Sequence, residues 1–133
     1  MRVFILIILV LLSSCDANEP QPMVEEIVEN YYDSLVDRDL EGQLEILAPF
    51  SVDPETYWDS FLSYVEGGEL HGIEVYHEDE LLIMVELDFT LYLSESFPDN
   101  TSLKSGENRL QRYFSFFKKE DYKLKEILNK AIF

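Results

Sequence analysis

Glu86, Asp88 and Tyr92 interrupt an otherwise apolar run at even-numbered positions, and Arg109, Gln111 and Tyr113 alternate in the same way further along. Carboxylates, a guanidinium and phenols spaced by two residues lie on one face of an extended strand. If two such faces meet across a sheet, they form a lattice of acids, arginine and tyrosine able to hold a small polar ligand. The plainer reading, and the favoured one, is a solvated outer sheet face with cross-strand ion pairs that each contribute little. Trp58, Phe61 and Leu62 recur at helical spacing and read first as core, with Trp58 a contact residue if a pocket opens beside them. His71 and His77 are the two histidines of the chain. They stand about 20 Å apart along a strand, too far to share a metal. Glu78-Asp79-Glu80 reads as a tight turn without the carbonyl scaffold that calcium needs. There is no glycine-rich phosphate loop, no arguable Ser-His-Asp set and no His-Glu-x-x-His. The sequence therefore points to no catalytic residue, no metal site and no cofactor.

Positioning these side chains takes a sheet with something packed on one side of it. Ile83, Val85, Leu87, Phe89, Leu91 and Leu93 alternate with Met84, Glu86, Asp88, Thr90 and Tyr92, the pattern of a half-buried antiparallel strand. The odd residues are expected to face the core and the even ones, Thr90 included, to lie at the surface. Strands are also expected at Leu70–His77, Arg109–Lys118 and Tyr122–Leu128, joined by turns at 78–80 and 119–121, with a loop from Ser94 to Glu107. Upstream, Val24, Ile27, Val28, Tyr31 and Leu35 mark an amphipathic helix over Met23–Asp37. Pro22 is expected at or before its first turn, and Glu25 and Glu26 suit the positive end of its dipole. Asp39 offers a cap for a short helix carrying Leu40, Leu44 and Leu47, which Pro49 ends. Asp53-Pro54 opens a third helix with the stripe Trp58, Phe61, Leu62 and Val65, closed by the backbone freedom of Gly67-Gly68. Helices followed by a strand meander give an α+β fold, with N-terminal helices on a curved antiparallel sheet of about four or more strands.

The 133 residues carry 27 acids against 10 lysines and arginines, a formal charge of −17. Such a surface repels nucleic acid and anionic headgroups. The charge is uneven: no lysine or arginine lies between Asp39 and Leu103, whereas basic residues outnumber acids from Lys104 onward. Neighbouring strands from the two halves can set opposite charges face to face.

Arg2 followed by an unbroken apolar run from Val3 to Leu12 has the form of a secretory signal, too short to span a bilayer, which takes about 20 residues. Leu12-Ser13-Ser14-Cys15 resembles the bacterial lipobox. The resemblance implies cleavage after Ser14 and lipidation of Cys15, the chain's single cysteine. It makes residues 1–14 a signal peptide, residues 15–22 a lipidated cysteine with a short linker, and residues 23–133 one domain on the extracytoplasmic side of the cell membrane. The linker reaches at most about 25 Å. Acylation of Cys15 would exclude a disulfide framework, a thiol nucleophile and a thiolate-bound metal.

The segment from Ile27 to Gly42, and above all the corner Asp39-Leu40-Glu41-Gly42 followed by Leu44 and Leu47, resembles the opening of the NTF2-like superfamily, which includes ketosteroid isomerases and SnoaL-type cyclases. The resemblance implies a cone-shaped hollow between helices and sheet. It also sets Tyr31 where ketosteroid isomerases place a tyrosine that donates to a developing enolate oxygen. The carboxylate base and second carboxyl group of those enzymes have no counterpart here. Tyr31 is accordingly expected to be structural, and the domain to bind a small ligand in the hollow or a protein partner rather than to catalyse. An isomerase- or cyclase-like enzyme using Tyr31 is the alternative, and a homodimer through the sheet a third reading.

Overall fold

The computed structural model describes residues 20–48, 55–100 and 102–129. The signal segment, Cys15, most of the expected linker, Pro49 and Asp53-Pro54 lie outside the described residues. Three helices, α1 (Pro20–Val36), α2 (Leu40–Leu47) and α3 (Glu55–Leu62), precede four strands, β1 (Val65–Glu78), β2 (Leu82–Leu93), β3 (Gly106–Phe117) and β4 (Lys123–Leu128). The strands form one antiparallel sheet in the order β1-β2-β3-β4. The class is α+β. No helix among the described residues is long and apolar enough to cross a membrane.

Helix α1 begins at Pro20 rather than Met23. Proline is tolerated there because the first amides of a helix have no intrahelical acceptor. Glu25 and Glu26 consequently fall in the second turn, past the reach of the dipole's positive end, and the first turn holds no acid. Val24, Val28, Tyr31 and Leu35 are buried as their spacing requires. The helix stops at Arg38, whose φ of 55° is left-handed, with the Asp39 amide bonded back to the Ser34 carbonyl at 2.8 Å. Asp39 then caps α2, its carboxylate accepting from the Gly42 amide at 3.0 Å. A side chain at position 42 would overlap that carboxylate, so the Asp39–Gly42 corner is a matched pair. Of the stripe expected on α2, Leu40 packs against the core and Leu47 lines a cavity. The fully buried residue, however, is Gln43, because α2 turns it toward a hydroxyl on α1.

The glycine pair does not close α3. The helix ends at Leu62, the chain turns, and Val65 already belongs to β1. Neither Gly67 nor Gly68 has positive φ. Gly68 is needed for close approach instead: a Cβ there would meet the Thr90 carbonyl at 2.8 Å and Val36 at 3.0 Å, where α1 lies against the sheet. Strand β1 is longer than its alternation suggested because three bulges, at Glu66, His71 and Tyr76, break the period of two.

Strand β2 follows its pattern. Its odd residues from Ile83 to Leu93 are all at most 2% exposed and join Val28, Tyr31, Leu35, Phe61, Phe114 and Phe116 in one core. Tyr32 of α1 meets Phe89 edge-on at 5.9 Å. The other face is less open than alternation implies. Met84 and Thr90 are also buried, and so is Ser115, which pairs with Met84. Thr90 is therefore not the surface residue expected of it, because His71 from the bulge of β1 folds over it.

Candidate functional site

The register of β2 on β3 brings the predicted polar residues together. Glu86 stands opposite Tyr113, Asp88 opposite Gln111, Thr90 opposite Arg109 and Tyr92 opposite Glu107, all on the face away from the helices. Arg109 reaches diagonally to Asp88 and grips it with two hydrogen bonds, from Nε at 3.1 Å and from a terminal nitrogen at 2.8 Å. That grip holds the Asp88 carboxyl below its ordinary value. Tyr92 donates to Glu69 at 2.9 Å, and this bond raises its phenol. Desolvation raises Tyr113, with a hydrogen bond to Glu86 adding to it, and Tyr76 packs edge-on against the Tyr113 ring at 5.2 Å. His71 completes the lattice through the Thr90 hydroxyl at 2.7 Å. The acids, phenols and Arg109 thus satisfy one another. At the far end of β1, His77 and two backbone amides hold the exposed Asp79 carboxyl at about 2, as a turn rather than a metal site.

Tyr31 and Trp58 lie elsewhere, on the opposite side of the sheet. They line a cavity of about 250 Å³ between the helices and the strands, with Leu35, Phe61, Phe89 and Leu91. This is close to the lower end of the ~300–1,000 Å³ typical of small-molecule sites. The walls come from every layer: α1 contributes Tyr31, α2 Leu47, α3 Trp58 and Phe61, β2 Phe89, β3 Leu110, and β4 Ile127. Tyr57, Trp58 and Phe61 form a small aromatic stack on α3, with ring separations of 5.2 to 6.1 Å. The seven predicted site residues that the structure describes therefore divide between two places, two in the cavity and five on the outer lattice.

The cavity has a polar element that the sequence reading missed. Arg112, opposite Leu87, points to the helix side and lines the cavity beside the Tyr31 phenol. Burial raises the phenol above its ordinary value of 10.0, while the nearby guanidinium pulls it back. The Tyr31 ring packs edge-on against Phe114 at 5.0 Å. Behind Tyr31 lie two more buried polar groups. The Ser34 hydroxyl is 2.8 Å from the Tyr31 carbonyl and 2.5 Å from the amide oxygen of Gln43, yet it has one proton to give. In that orientation the Gln43 amide nitrogen has no partner. Turning the amide by half a turn lets Gln43 donate to Ser34, whose single proton then goes to the Tyr31 carbonyl. The result is a short buried chain, Gln43 to Ser34 to the helix backbone. The available signal was parity: Arg112 shares its face with Phe114 and Phe116. Gln43 had none, because its partner lies on another helix.

A larger hollow, about 510 Å³, is bordered by α1, α2 and Leu124 of β4. It is lined by the exposed acids Asp33, Asp37, Asp39 and Glu45, and among the described residues no cluster could hold a metal ion. Comparison with protein-family models, curated proteins and solved structures finds no match, so what the chain can bind is read from its own geometry.

Proposed function

We propose that this chain is a lipid-anchored, extracytoplasmic domain of the NTF2-like type whose cone holds a small, largely apolar molecule. One observation carries the reading: a cavity of about 250 Å³ between helices and sheet, walled by Trp58, Phe61, Phe89 and Leu91. Packed cores leave few voids larger than a water, and concave apolar sites with a few convergent polar groups are where small ligands bind. The anchor rests on Leu12-Ser13-Ser14-Cys15 after the apolar run. Binding is preferred to isomerase- or cyclase-like chemistry. No carboxylate is among the described residues lining the cavity, and burial holds the Tyr31 phenol above its ordinary value. An oxyanion donor without a base within reach of the substrate proton cannot drive enolisation.

Trp58 is the only tryptophan in the chain, so its fluorescence reports the cavity directly. Titration with 3-phenylpropanol should give a saturable change, abolished in Leu110→Trp read by calorimetry, where the added ring fills the space. A linear, non-saturating response in the unaltered protein would reject the binding reading. Cys15→Ser should release the protein from the membrane fraction; equal partitioning of the two forms would reject the anchor.

A further inference from the structure

We infer that the ligand of the cavity carries a single anionic group, a carboxylate, and that Arg112 receives it; this rests on the binding reading above. Asn129 and Arg112 apart, the described residues of the lining are aliphatic or aromatic, and Arg112 is the charged one among them. Arg112 is half-buried and has no carboxylate partner among the described residues. That is unusual for a chain with 27 acids, whose other arginine on the same strand, Arg109, is held by Asp88 through two bonds. A guanidinium has five donor hydrogens in a planar fork that matches a carboxylate. Arg112 has used one nitrogen on the Gln111 carbonyl at 3.0 Å and lies beside the Tyr31 phenol. The remaining donors have no acceptor among the described residues.

Its neighbours keep the arginine in place without an acid. One terminal nitrogen donates to the Gln111 carbonyl, and the guanidinium stands beside the Tyr31 phenol, whose ring is fixed edge-on against Phe114. These groups offer only neutral acceptors to the guanidinium, so its charge stays uncompensated. A neighbouring carboxylate would cancel that charge and exclude an anion. Tyr31 is on this account a positioning residue. The negative charge of the whole protein does not forbid the ligand, because in physiological salt exposed charges are screened beyond about 8 Å.

The test compares three isosteric probes in the intact mature protein, 3-phenylpropionate, 3-phenylpropanol and 3-phenylpropylamine, by Trp58 fluorescence and calorimetry. The carboxylate should bind at least about tenfold more tightly than the alcohol, as a charged hydrogen-bonded pair out of water does, and the amine more weakly than either. Arg112→Gln should erase the preference for the carboxylate over the alcohol, with a far-ultraviolet dichroism spectrum like the parent's showing that the variant is folded. Tyr31→Phe should lower the carboxylate preference. If the alcohol binds and the carboxylate binds no better, or if the preference survives Arg112→Gln, the inference is overturned while the binding reading stands. If none of the three binds, both fall.

Discussion

Arg109 and Arg112 stand three residues apart on β3 and on opposite faces of the sheet, in opposite electrostatic circumstances. Arg109 lies in solvent with its side chain 63% exposed and grips Asp88. Arg112 turns inward, toward largely apolar walls, and meets a phenol and a backbone carbonyl but no acid among the described residues. The outer face is a finished polar lattice in which Asp88, Glu86, Glu69 and the tyrosines complete one another. The inner face is a finished apolar core except at one cavity, where a single charge is left over. An exposed ion pair contributes little because water serves both partners nearly as well. An inward-facing cation without a counter-charge is costly unless something completes it. The contrast says that the outer lattice maintains the surface of the sheet, whereas the inner arginine needs a ligand or solvent.

The sharpest way to break this contrast is to damage each face in turn. Leu87→Ala, on the inner face and fully buried, should cost about 2–5 kcal/mol in urea melts through lost burial and a cavity. A loss under about 1 kcal/mol would mean that the inner face is not the core. Tyr31→Phe should cost about 1–3 kcal/mol, because it removes a buried hydroxyl beside the Arg112 guanidinium. A neutral outcome would mean that the phenol does nothing for the guanidinium. Thr90→Ala should cost about 1 kcal/mol, more than a surface site, since the threonine is 2% exposed and bonded to His71.

The smallest effect belongs to Asp88→Asn on the outer face. Arg109 lowers the folded carboxyl below its ordinary value of 3.8. A depressed acid stabilises the fold above its unfolded value, and that contribution disappears as the pH falls through the folded one. The variant should therefore melt slightly below the parent at pH 7 by thermal scan, and the difference should vanish in acid below the ordinary carboxylate range. A gap that persists there would point to packing rather than charge. A gap at pH 7 larger than that of Thr90→Ala would show that the outer lattice is more than a solvated face.

Much of this was legible in the residues. The alternation from Ile83 to Leu93 determined which side of β2 is core, because a strand's side chains can take only two sides. The spacing of Val24, Val28, Tyr31 and Leu35 determined the buried face of α1, and Asp39 with Gly42 determined the corner after it, since these depend on neighbours a few residues away. Period two also put Asp88 with Glu86 and Tyr92, and Arg109 with Gln111 and Tyr113, while the register decided that these two faces meet. Other features needed the tertiary structure. Gly67-Gly68 has the composition of a helix stop, yet Gly68 answers to the approach of Val36 and the Thr90 carbonyl, contacts more than twenty residues distant in sequence. Thr90 reads as surface until a bulge in β1 brings His71 over it. Gln43 reads as a polar helix residue until Ser34 and Tyr31 surround it, and Arg112 as one basic residue among several until the helices close over its side of β3. Local periodicity fixes direction because it depends on backbone geometry alone. Which buried group meets which depends on how separate elements pack, and there only the folded chain decides.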